Sequence, residues 1–488
     1  MNELTYIAVF SAVLLPAILY FIQAVREQKN IKNIRDFFPL NRSISTGEYR
    51  SSTVAAGMSL ATVIIAFINL APFLGITLFV SVISYSASFL ILYMCVNRIM
   101  EANPTNDTIQ AYLGKSYGSS NVKYIALFFS LVGYLSIFSM ELLVGVTVLQ
   151  PFLGEWILIF AFLYLVFIII YSLIGGYRAI IATDRWQLRF ILISLFSLLV
   201  LAIVGTTNAP NVSVTAIVTN ISNSWVPIWA FIIGITAMNL PAPISDAGTW
   251  QRLCSTQDAQ SAKRGLLQVA PFFAVLWAFL ILFACYYGYV ATSQGFDASQ
   301  GSLITYIMNT LASSGLLFTI LLFFLVLGLF SAMISTADSI LIVAGQMFSI
   351  DILKLSSDCT EPQEGMRTAR IAIAAIAVLS FLIFIILHFL KFDVIQLVFA
   401  IYGAQLAMFP AVFFALFFAK KIKLQRASLA AGASILVGFI GGWSSAIYGK
   451  YSGDVNWLYN APVTALVSGM VVFIILAIPA IISCMKEK

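Results

Sequence analysis

Charged residues are scarce in this chain. Only 9% of its 488 residues are Asp, Glu, Lys or Arg, whereas soluble proteins carry about 25%. The hydrophobic share is 61%, against about 45–50% in a soluble domain. So few charges cannot cover the surfaces of several soluble domains, and the composition excludes that class. A spanning helix needs about 20 apolar residues, so we expect a polytopic integral membrane protein.

Cysteine and histidine are rare as well. The five cysteines form no CxxC pair, and the one histidine is His388. We therefore expect no disulfide framework, no zinc site and no multi-histidine metal site. The net charge is +6, but the basic residues follow an expected membrane topology and do not form a patch for nucleic acid. We expect no organic cofactor and no nucleic-acid partner.

Apolar residues form thirteen runs that are each long enough for a spanning helix. The expected spans are 5–24, 52–73, 78–97, 124–150, 156–175, 186–206, 226–247, 265–289, 315–346, 368–390, 393–418, 426–446 and 462–485. This count places all but two of the 26 Lys and Arg residues on one side, and the exceptions are Lys391 and Lys450. By the positive-inside rule, we expect a multi-pass cell-membrane protein with its N-terminus outside and its C-terminus in the cytoplasm.

Three acidic residues fall inside the predicted spans or at their edge: Glu141, Asp184 and Asp338. An ionisable group in hydrocarbon is costly and usually marks function. Glu141 has no Lys or Arg at mid-span to pair with. We expect it either to line a solute cavity, where it would favour an amino-bearing or cationic solute, or to stay protonated and hydrogen-bonded.

The ninth predicted helix carries the polar segment Ser-Ala-Met-Ile-Ser-Thr-Ala-Asp-Ser, residues 331–339. At 100° per residue, Ala332, Ser335 and Thr336 share one narrow face, which Ser339 continues a turn deeper with Asp338 at its edge. Hydroxyl, carbonyl and carboxylate oxygens are the ligands that small hard cations prefer. The strip therefore predicts a sodium site. The alternative is that small residues allow close packing and the hydroxyls bond to their own helix.

Two predicted helices, the second and the seventh, contain signals for a break. The second carries Pro72 and Gly75, and the seventh carries Pro241 and Pro243. Interrupted helices at corresponding positions of two halves indicate a transporter binding site, because unwound backbone leaves carbonyls free. If the first helix is peripheral, this spacing fits a five-plus-five inverted repeat.

Four stretches of the sequence resemble the solute:sodium symporter family, which includes sodium-coupled sugar, proline, pantothenate and sialic acid transporters. The stretches are 108–114, 175–187, 246–265 and 331–339. The resemblance implies an all-α membrane protein with thirteen transmembrane helices and a ten-helix inverted-repeat core, with one helix before it and two after. Its single membrane domain would comprise a peripheral first helix with a basic inner loop, two inverted repeats and two C-terminal helices, at 1–51, 52–206, 226–418 and 419–488.

The same resemblance implies two ion sites. The main sodium site would use the carbonyls of Thr62, Ile65 and Ala332 with the hydroxyls of Ser335 and Thr336. A second sodium site, found in some members, would comprise Asp184, Ser335, Asp338 and Ser339. Asp338 departs from the family pattern, which tends to have a hydroxyl there. Two carboxylates near one cation would bind Na⁺ more tightly, or one of them would titrate.

Similar transporters bind their solute near the bilayer midplane, with groups from the second, third, seventh and eleventh helices. The candidates here are Asn69, Ser81, Ser84, Tyr85, Glu141, Asn239, Tyr402 and Gln405. Gln405 follows a glycine in an otherwise apolar helix, where an amide either binds the solute or makes a hydrogen bond between helices.

We therefore expect a sodium-coupled symporter that imports a small polar organic solute, such as a sugar, amino acid or carboxylate, by alternating access. It is not expected to be an enzyme, and a monomer is compatible with this function. One alternative is a sodium-dependent sensor or a channel on the same scaffold. A remote one is a membrane acyltransferase, since His388 and Asp393 have the His-x4-Asp spacing.

Overall fold

The computed structural model describes residues 3–39, 41–103, 107–206, 226–313, 315–355, 362–390, 394–419 and 424–486. Within these ranges the protein is helical and has no β-strand, although one isolated bridge pairs Ile44 with Thr256. The predicted all-α class is confirmed.

The part of the chain before residue 207 folds into helices α1 to α8. Their bounds are Glu3–Gln28, Ile34–Phe37, Thr46–Gly57, Ala66–Leu74, Phe79–Ala102, Ile109–Tyr117, Ser120–Leu153 and Ile157–Thr206. A π-helical segment, Leu60–Ile65, precedes α4, and short 3-10 turns precede α5 and α8 at Gly75–Leu78 and Gly154–Trp156.

The part after residue 225 contains helices α9 to α20. Their bounds are Ile228–Asn239, Ala242–Ser245, Ala247–Cys254, Ala259–Ser293, Leu303–Ser313, Leu316–Gln346, Pro362–Phe389, Val394–Gln405, Phe409–Phe418, Ser428–Ser452, Val455–Tyr459 and Ala461–Lys486. A second π-helical segment, Met347–Ile352, follows α14, and 3-10 turns at Leu406–Met408 and Leu424–Ala427 precede α17 and α18.

Among the described residues, ten helical segments are long and apolar enough to cross a membrane. Two of them are longer than one crossing requires, since Leu60–Ala102 has 43 residues and Ser120–Gly205 has 86. The others are Glu3–Gln28, Ile228–Ser245, Ala259–Ser293, Leu316–Ile352, Gln363–Phe389, Leu397–Phe418, Leu424–Ser452 and Ala461–Pro479. The protein is therefore a multi-pass membrane protein, as its composition predicts.

Helix α14 lies at the centre of the bundle. All its residues from Leu325 to Gln346 are buried, and it packs against α8, α1 and α7. Small residues allow this close approach: a Cβ on Gly328 would lie 2.2 Å from the Cβ of Ser194, and one on Gly145 would lie 2.0 Å from the sulfur of Met333. Polar groups on α14 therefore meet other helices on every side.

The chain leaves regular α-helix in both predicted spans that carry break signals, but in the second span the break lies at Ser59, before α4, and Pro72 lies inside α4. Between α3 and α4, Ser59 is extended (φ −49°, ψ 135°) and starts the π-helical segment. In the seventh predicted span, α9 ends at Asn239, and the chain then forms two short helices separated at Asp246. A third break lies within α8 at Gly176, whose φ of +53° and whose contact with the carbonyl of Phe37 leave no room for a side chain.

The N-terminus of α3 is held by a capping box and an ion pair. The backbone N–H and the hydroxyl of Ser45 donate to Glu48 Oε2 at 2.9 and 2.7 Å, and Arg185 on α8 contacts Glu48 Oε1. Burial raises the pKa of Glu48, but the bonds from Ser45 and the charges of Arg185 and Arg178 outweigh burial, so its pKa lies below the usual value. Ionised Glu48 therefore stabilises the fold.

We expect Glu48→Gln to lower the melting temperature of the purified protein at pH 7. Because a lowered pKa contributes stability above the unfolded-state pKa and loses it as pH falls, the deficit should begin to shrink near the unfolded-state pKa of about 4.3. It should vanish as pH falls through the lower folded-state pKa. Melting curves from pH 3.5 to 8 check this. Glu101→Gln, at an exposed position near the end of α5, is the control. Equal melting temperatures of Glu48→Gln and wild type at pH 7 would contradict the prediction.

Candidate ion and solute sites

The hydroxyl strip of α14 faces the break between α3 and α4. Thr336 Oγ1 lies 3.3 Å from the carbonyl of Ala56 at the end of α3 and 3.3 Å from the carbonyl of Ala332 in its own helix. The π-helical segment, which carries Thr62 and Ile65, also packs against α14. The structure thus brings the expected hydroxyl ligands beside the backbone that would supply carbonyls.

Two buried carboxylates lie beside this strip. Asp184 on α8 accepts a hydrogen bond from Ser335 Oγ at 2.7 Å through Oδ1. Asp338 on α14 accepts bonds from Tyr171 and, at 3.3 Å, from Gln187 through Oδ2. Within the described residues the second oxygen of each carboxylate has no hydrogen-bond partner. Buried carboxylate oxygens usually have partners, so these two are suited to a cation that binds between α8 and α14.

Arg252 reaches the same region from α11. Its Nε donates to Ser52 Oγ at 3.1 Å and its Nη2 donates to Ser339 Oγ at 2.6 Å. The guanidinium therefore joins α3 to α14 at the edge of the acidic pair. Arg252 lies in the resembling stretch 246–265 and among the basic residues that set the expected topology, but its bond to Ser339 across 87 residues has no signal in local spacing.

Glu141 is fully buried in α7 and faces the break. Its carboxylate accepts hydrogen bonds from Ser59 Oγ and from the backbone N–H of Ala61, the latter at 3.4 Å. Ser59 Oγ in turn accepts from the N–H of Thr62 at 3.0 Å. Glu141 therefore contacts the start of the π-helical segment and is not one of the residues that line the cavities described next.

A cavity of about 120 Å³ lies on the other side of the break. Ser81, Tyr85, Asn239 and Tyr402, all expected from the sequence, line it together with Trp277. Among the described residues that line it, none is charged. Ser81 Oγ and Trp277 Nε1 are buried and have no hydrogen-bond partner in the described residues, so both are available to a bound molecule.

An aromatic cluster forms one wall of this cavity. The rings of Tyr85 and Trp277 stack at 4.3 Å with an interplanar angle of 7°, and Phe67 meets Trp277 edge-on at 5.1 Å. Stacked and edge-on rings each stabilise such a cluster by about 1 kcal/mol beyond their burial. The wall is therefore rigid and presents a flat apolar surface beside the polar groups.

A second cavity of about 170 Å³ adjoins the first. Five residues line both, namely Ala56, Gly57, Tyr85, Ala242 and Tyr402. Beyond them the second cavity reaches Asp246 and Arg252 around α11, as well as Gln405 and the α14 residues Thr336 and Ser339. The two cavities thus form a series from the broken helix to the chain around α11.

Besides Glu141, three of the expected solute contacts do not line the first cavity. Asn69 Oδ1 accepts from Ser302 Oγ at 2.9 Å and does not line either cavity. Ser84 accepts from Asn239 Nδ2 at 3.0 Å, so it orients that amide from outside the cavity wall. Gln405 lines only the second cavity and packs closely on the backbone of α7 at Gly133.

Comparison with protein-family models gives one decisive match. The model of the sodium:solute symporter family matches residues 37–433. The chain belongs to the sodium:solute symporter family. The resemblance found in the sequence is therefore confirmed, and the match spans both helix breaks, the strip of α14 and both carboxylates. A comparison with curated protein sequences finds no match.

Solved structures share the fold of this symporter-family member. A Na⁺-coupled sialic acid symporter, solved in a substrate-bound outward-open state with a novel Na⁺ site, is 18% identical, with a TM-score of 0.77 and 98% of each chain covered. Mhp1, a nucleobase-cation-symport-1 family transporter solved in a closed conformation with bromovinylhydantoin, is 12% identical, with a TM-score of 0.55, covering 92% of this chain and 96% of that one. MhsT in complex with L-phenylalanine is 14% identical, with a TM-score of 0.55, covering 89% and 99%.

Several polar residues of this family member were missed by the sequence analysis. Tyr171 and Gln187 bond to Asp338, and Trp277 lines the cavity. Gln187 falls inside one of the stretches that resemble the family, but its position in the sequence does not identify Asp338 as its partner. Tyr171 and Trp277 lie in apolar runs, where an aromatic residue is ordinary.

Proposed function

We propose that the protein is a sodium-coupled symporter that carries a small polar organic solute. Membership in the sodium:solute symporter family supports the coupling ion. The observation that carries the proposal is the position of Thr336, whose hydroxyl on α14 lies 3.3 Å from the carbonyl of Ala56 at the break. Thr336 lines one cavity, and Ala56 and Gly57 at the end of α3 line both. An ion held at this point would touch the helix that also shapes the solute site.

The main sodium site would consist of five oxygen donors, which is a suitable set for a small hard cation. They are the carbonyls of Thr62, Ile65 and Ala332 and the hydroxyls of Ser335 and Thr336. Packing of the π-helical segment against α14 supports this set. Unwound or irregular backbone can leave carbonyls without intrahelical donors, and such carbonyls would be available to an ion.

A second sodium site would lie between α8 and α14. Asp184, Ser335, Asp338 and Ser339 would supply its oxygens, and the free carboxylate oxygens of the two aspartates support it. Ser335 would belong to both sites, because its hydroxyl already bonds to Asp184. Binding at one site would then affect the other through a shared side chain.

We infer a membrane arrangement of thirteen crossings, since the 43-residue segment is long enough for two and the 86-residue segment for three. The turns at Gly75, Gly154 and Gly176 are suitable points of division. The N-terminus would lie outside and the C-terminus in the cytoplasm of a cell membrane. The inverted repeats would be 52–206 and 226–418, with 1–51 before them and 419–488 after.

The solute would bind in the cavity beside the break and leave through the adjoining cavity. Ser81, Asn239, Tyr85 and Tyr402 would supply hydrogen bonds there, and Trp277 a flat apolar face. Na⁺ would bind first and fix the π-helical segment, which completes the solute site. The loaded core would then tilt to open inward. Na⁺ raises the affinity for the solute only if it binds the loaded state preferentially, and the effect must be reciprocal.

Melting temperatures measured in Na⁺ against K⁺, with and without a panel of small polar solutes, test this function. We expect at least one sugar, amino acid or carboxylate to raise the melting temperature, and to do so more strongly in Na⁺. No difference between the two cations would overturn sodium coupling. Counterflow in proteoliposomes then separates a carrier from a channel, since only a carrier is stimulated by solute on the opposite side.

A further inference from the structure

We propose that Glu141 is a positioning residue for the main sodium site, and that it acts through the backbone of the broken helix without touching the solute. The inference rests on the proposed function, because it assigns Glu141 a role at the same ion site. It replaces the expectation that this carboxylate lines the solute cavity.

The hydrogen bonds of Glu141 converge on the first turn of the π-helical segment. One carboxylate oxygen accepts from Ser59 Oγ, and the other accepts from the N–H of Ala61 at 3.4 Å. Ser59 Oγ also accepts from the N–H of Thr62 at 3.0 Å. The carboxylate therefore holds, directly or through Ser59, two of the N–H groups at this helical start.

The N–H groups of Ala61 and Thr62 need acceptors from outside their own helix. The first N–H groups of a helix have no intrahelical acceptor, and a negative group near the N-terminus is further favoured by the helix dipole. In hydrocarbon no water supplies the missing bond. A carboxylate on a neighbouring helix thus fixes the break in one geometry, and α7 does pack against the π-helical segment.

The same turn would carry the carbonyls that bind Na⁺. Thr62 donates its N–H to Ser59 while its carbonyl is a proposed ligand, and Ile65 ends the segment. If the turn were released from Glu141, these carbonyls would have to be ordered by the ion itself. Part of the binding free energy would then go into ordering backbone, and Na⁺ affinity would fall.

A contact between Glu141 and the solute is not supported by the geometry. Ser59 lines the cavity and Glu141 does not, so the serine lies between the carboxylate and the space where a solute would bind. Glu141 has no exposed surface. A role in positioning therefore predicts an effect on Na⁺ binding even when no solute is present.

The experiment is a Na⁺ titration of melting temperature without solute, with KCl keeping the ionic strength constant. Because the stabilisation grows as RT ln(1 + [Na⁺]/Kd), the midpoint compared between variants is the Na⁺ concentration equal to the fitted Kd. We expect Glu141→Ala to raise the Na⁺ concentration at the midpoint by about tenfold, since it removes the acceptor of both Ser59 and Ala61. Glu141→Gln keeps one acceptor oxygen for Ser59, so its midpoint should lie between those of wild type and alanine. Ser59→Ala removes the link to Thr62 and should raise the midpoint about threefold.

Ser139→Ala is the matched control, because Ser139 is a buried polar residue of α7 that bonds to the carbonyl of Ser380, away from the break. Its midpoint should equal that of wild type. A purely structural role for Glu141 would lower the melting temperature in K⁺ and leave the midpoint unchanged, which would overturn the inference. If Glu141→Ala does not fold, the test rests on Glu141→Gln and Ser59→Ala. Wild-type midpoints in both of these variants would also overturn the inference. A wild-type protein that gives no Na⁺ response would instead refute the proposed function.

Discussion

Replacing both Ser335 and Thr336 with alanine is expected to abolish sodium-driven uptake at physiological Na⁺. The double variant removes both hydroxyl ligands of the proposed main site, and Ser335 is shared with the second. Loss of two of five ligands should raise the Na⁺ concentration for half-maximal uptake by about a hundredfold, if each costs about tenfold. Each single variant should give a smaller rise. Uptake of the solute found in the melting screen, measured in proteoliposomes against external Na⁺, checks this.

Ser331→Ala supplies the control for this experiment. Ser331 lies one turn earlier on the same buried helix, accepts a hydrogen bond from Tyr20 at 2.8 Å, and is not a proposed ligand. Its removal tests whether any lost hydroxyl on α14 impairs transport. Wild-type uptake by the double variant at equal expression, or equal impairment by Ser331→Ala, would refute the assignment of the strip as a sodium site.

Asp338→Asn is expected to stabilise the protein in K⁺ while it removes much of the stabilisation that Na⁺ provides. Asp338 is fully buried with one unpartnered oxygen, and burying carboxylates without full compensation is costly. Asparagine keeps an acceptor for Tyr171 and Gln187. We expect the melting temperature in K⁺ to rise by roughly 2–4 °C, and the Na⁺-induced increase to be smaller than in wild type.

Asp184→Asn tests the same pair from the other helix. Its oxygen can still accept the hydroxyl of Ser335, which bonds to Asp184 at 2.7 Å, so the packing is kept and the charge is removed. If both aspartates bind one ion, each asparagine variant should also reduce the Hill coefficient for Na⁺ toward one. A lower melting temperature in K⁺ combined with an unchanged response to Na⁺ would show that the carboxylates serve the fold and not the ion.

The parts of this molecule that are visible in its sequence are those set by local chemistry. Long apolar runs predict the membrane helices because hydrocarbon admits little else. Pro241 marks a segment that does leave regular helix, whereas Pro72 lies inside α4 and the break of that span comes earlier, at Ser59. The shared face of Ser335 and Thr336 follows from helical geometry alone. In the structure the Thr336 hydroxyl contacts the carbonyl of Ala56 at the neighbouring break.

The parts that could not be predicted depend on which helices meet. Glu141 and Ser59 are 82 residues apart, and nothing in either segment indicates that α7 lies against the break. The same holds for Arg252, whose partners on α3 and α14 are far away in sequence. Apolar runs show that a helix exists but do not identify its neighbours, so contacts of polar residues between helices appear only in the folded protein.

Two motions with different timescales meet at the aromatic wall: the rotation of side chains and the tilting of helices. Tyr85 lines both cavities, and its ring is stacked on Trp277 and contacted edge-on by Phe89 and Phe273. Rotation of an unconfined side chain takes picoseconds to nanoseconds, whereas tilting of helices takes microseconds to milliseconds. A ring held by three others must move together with them, so passage of the solute between the cavities will be slower than a free rotation. In the proposed transport cycle this wall would lengthen the time that the solute stays bound after the core has tilted. We expect substitutions at Phe89 to change that time and to leave the affinity for the ion unchanged.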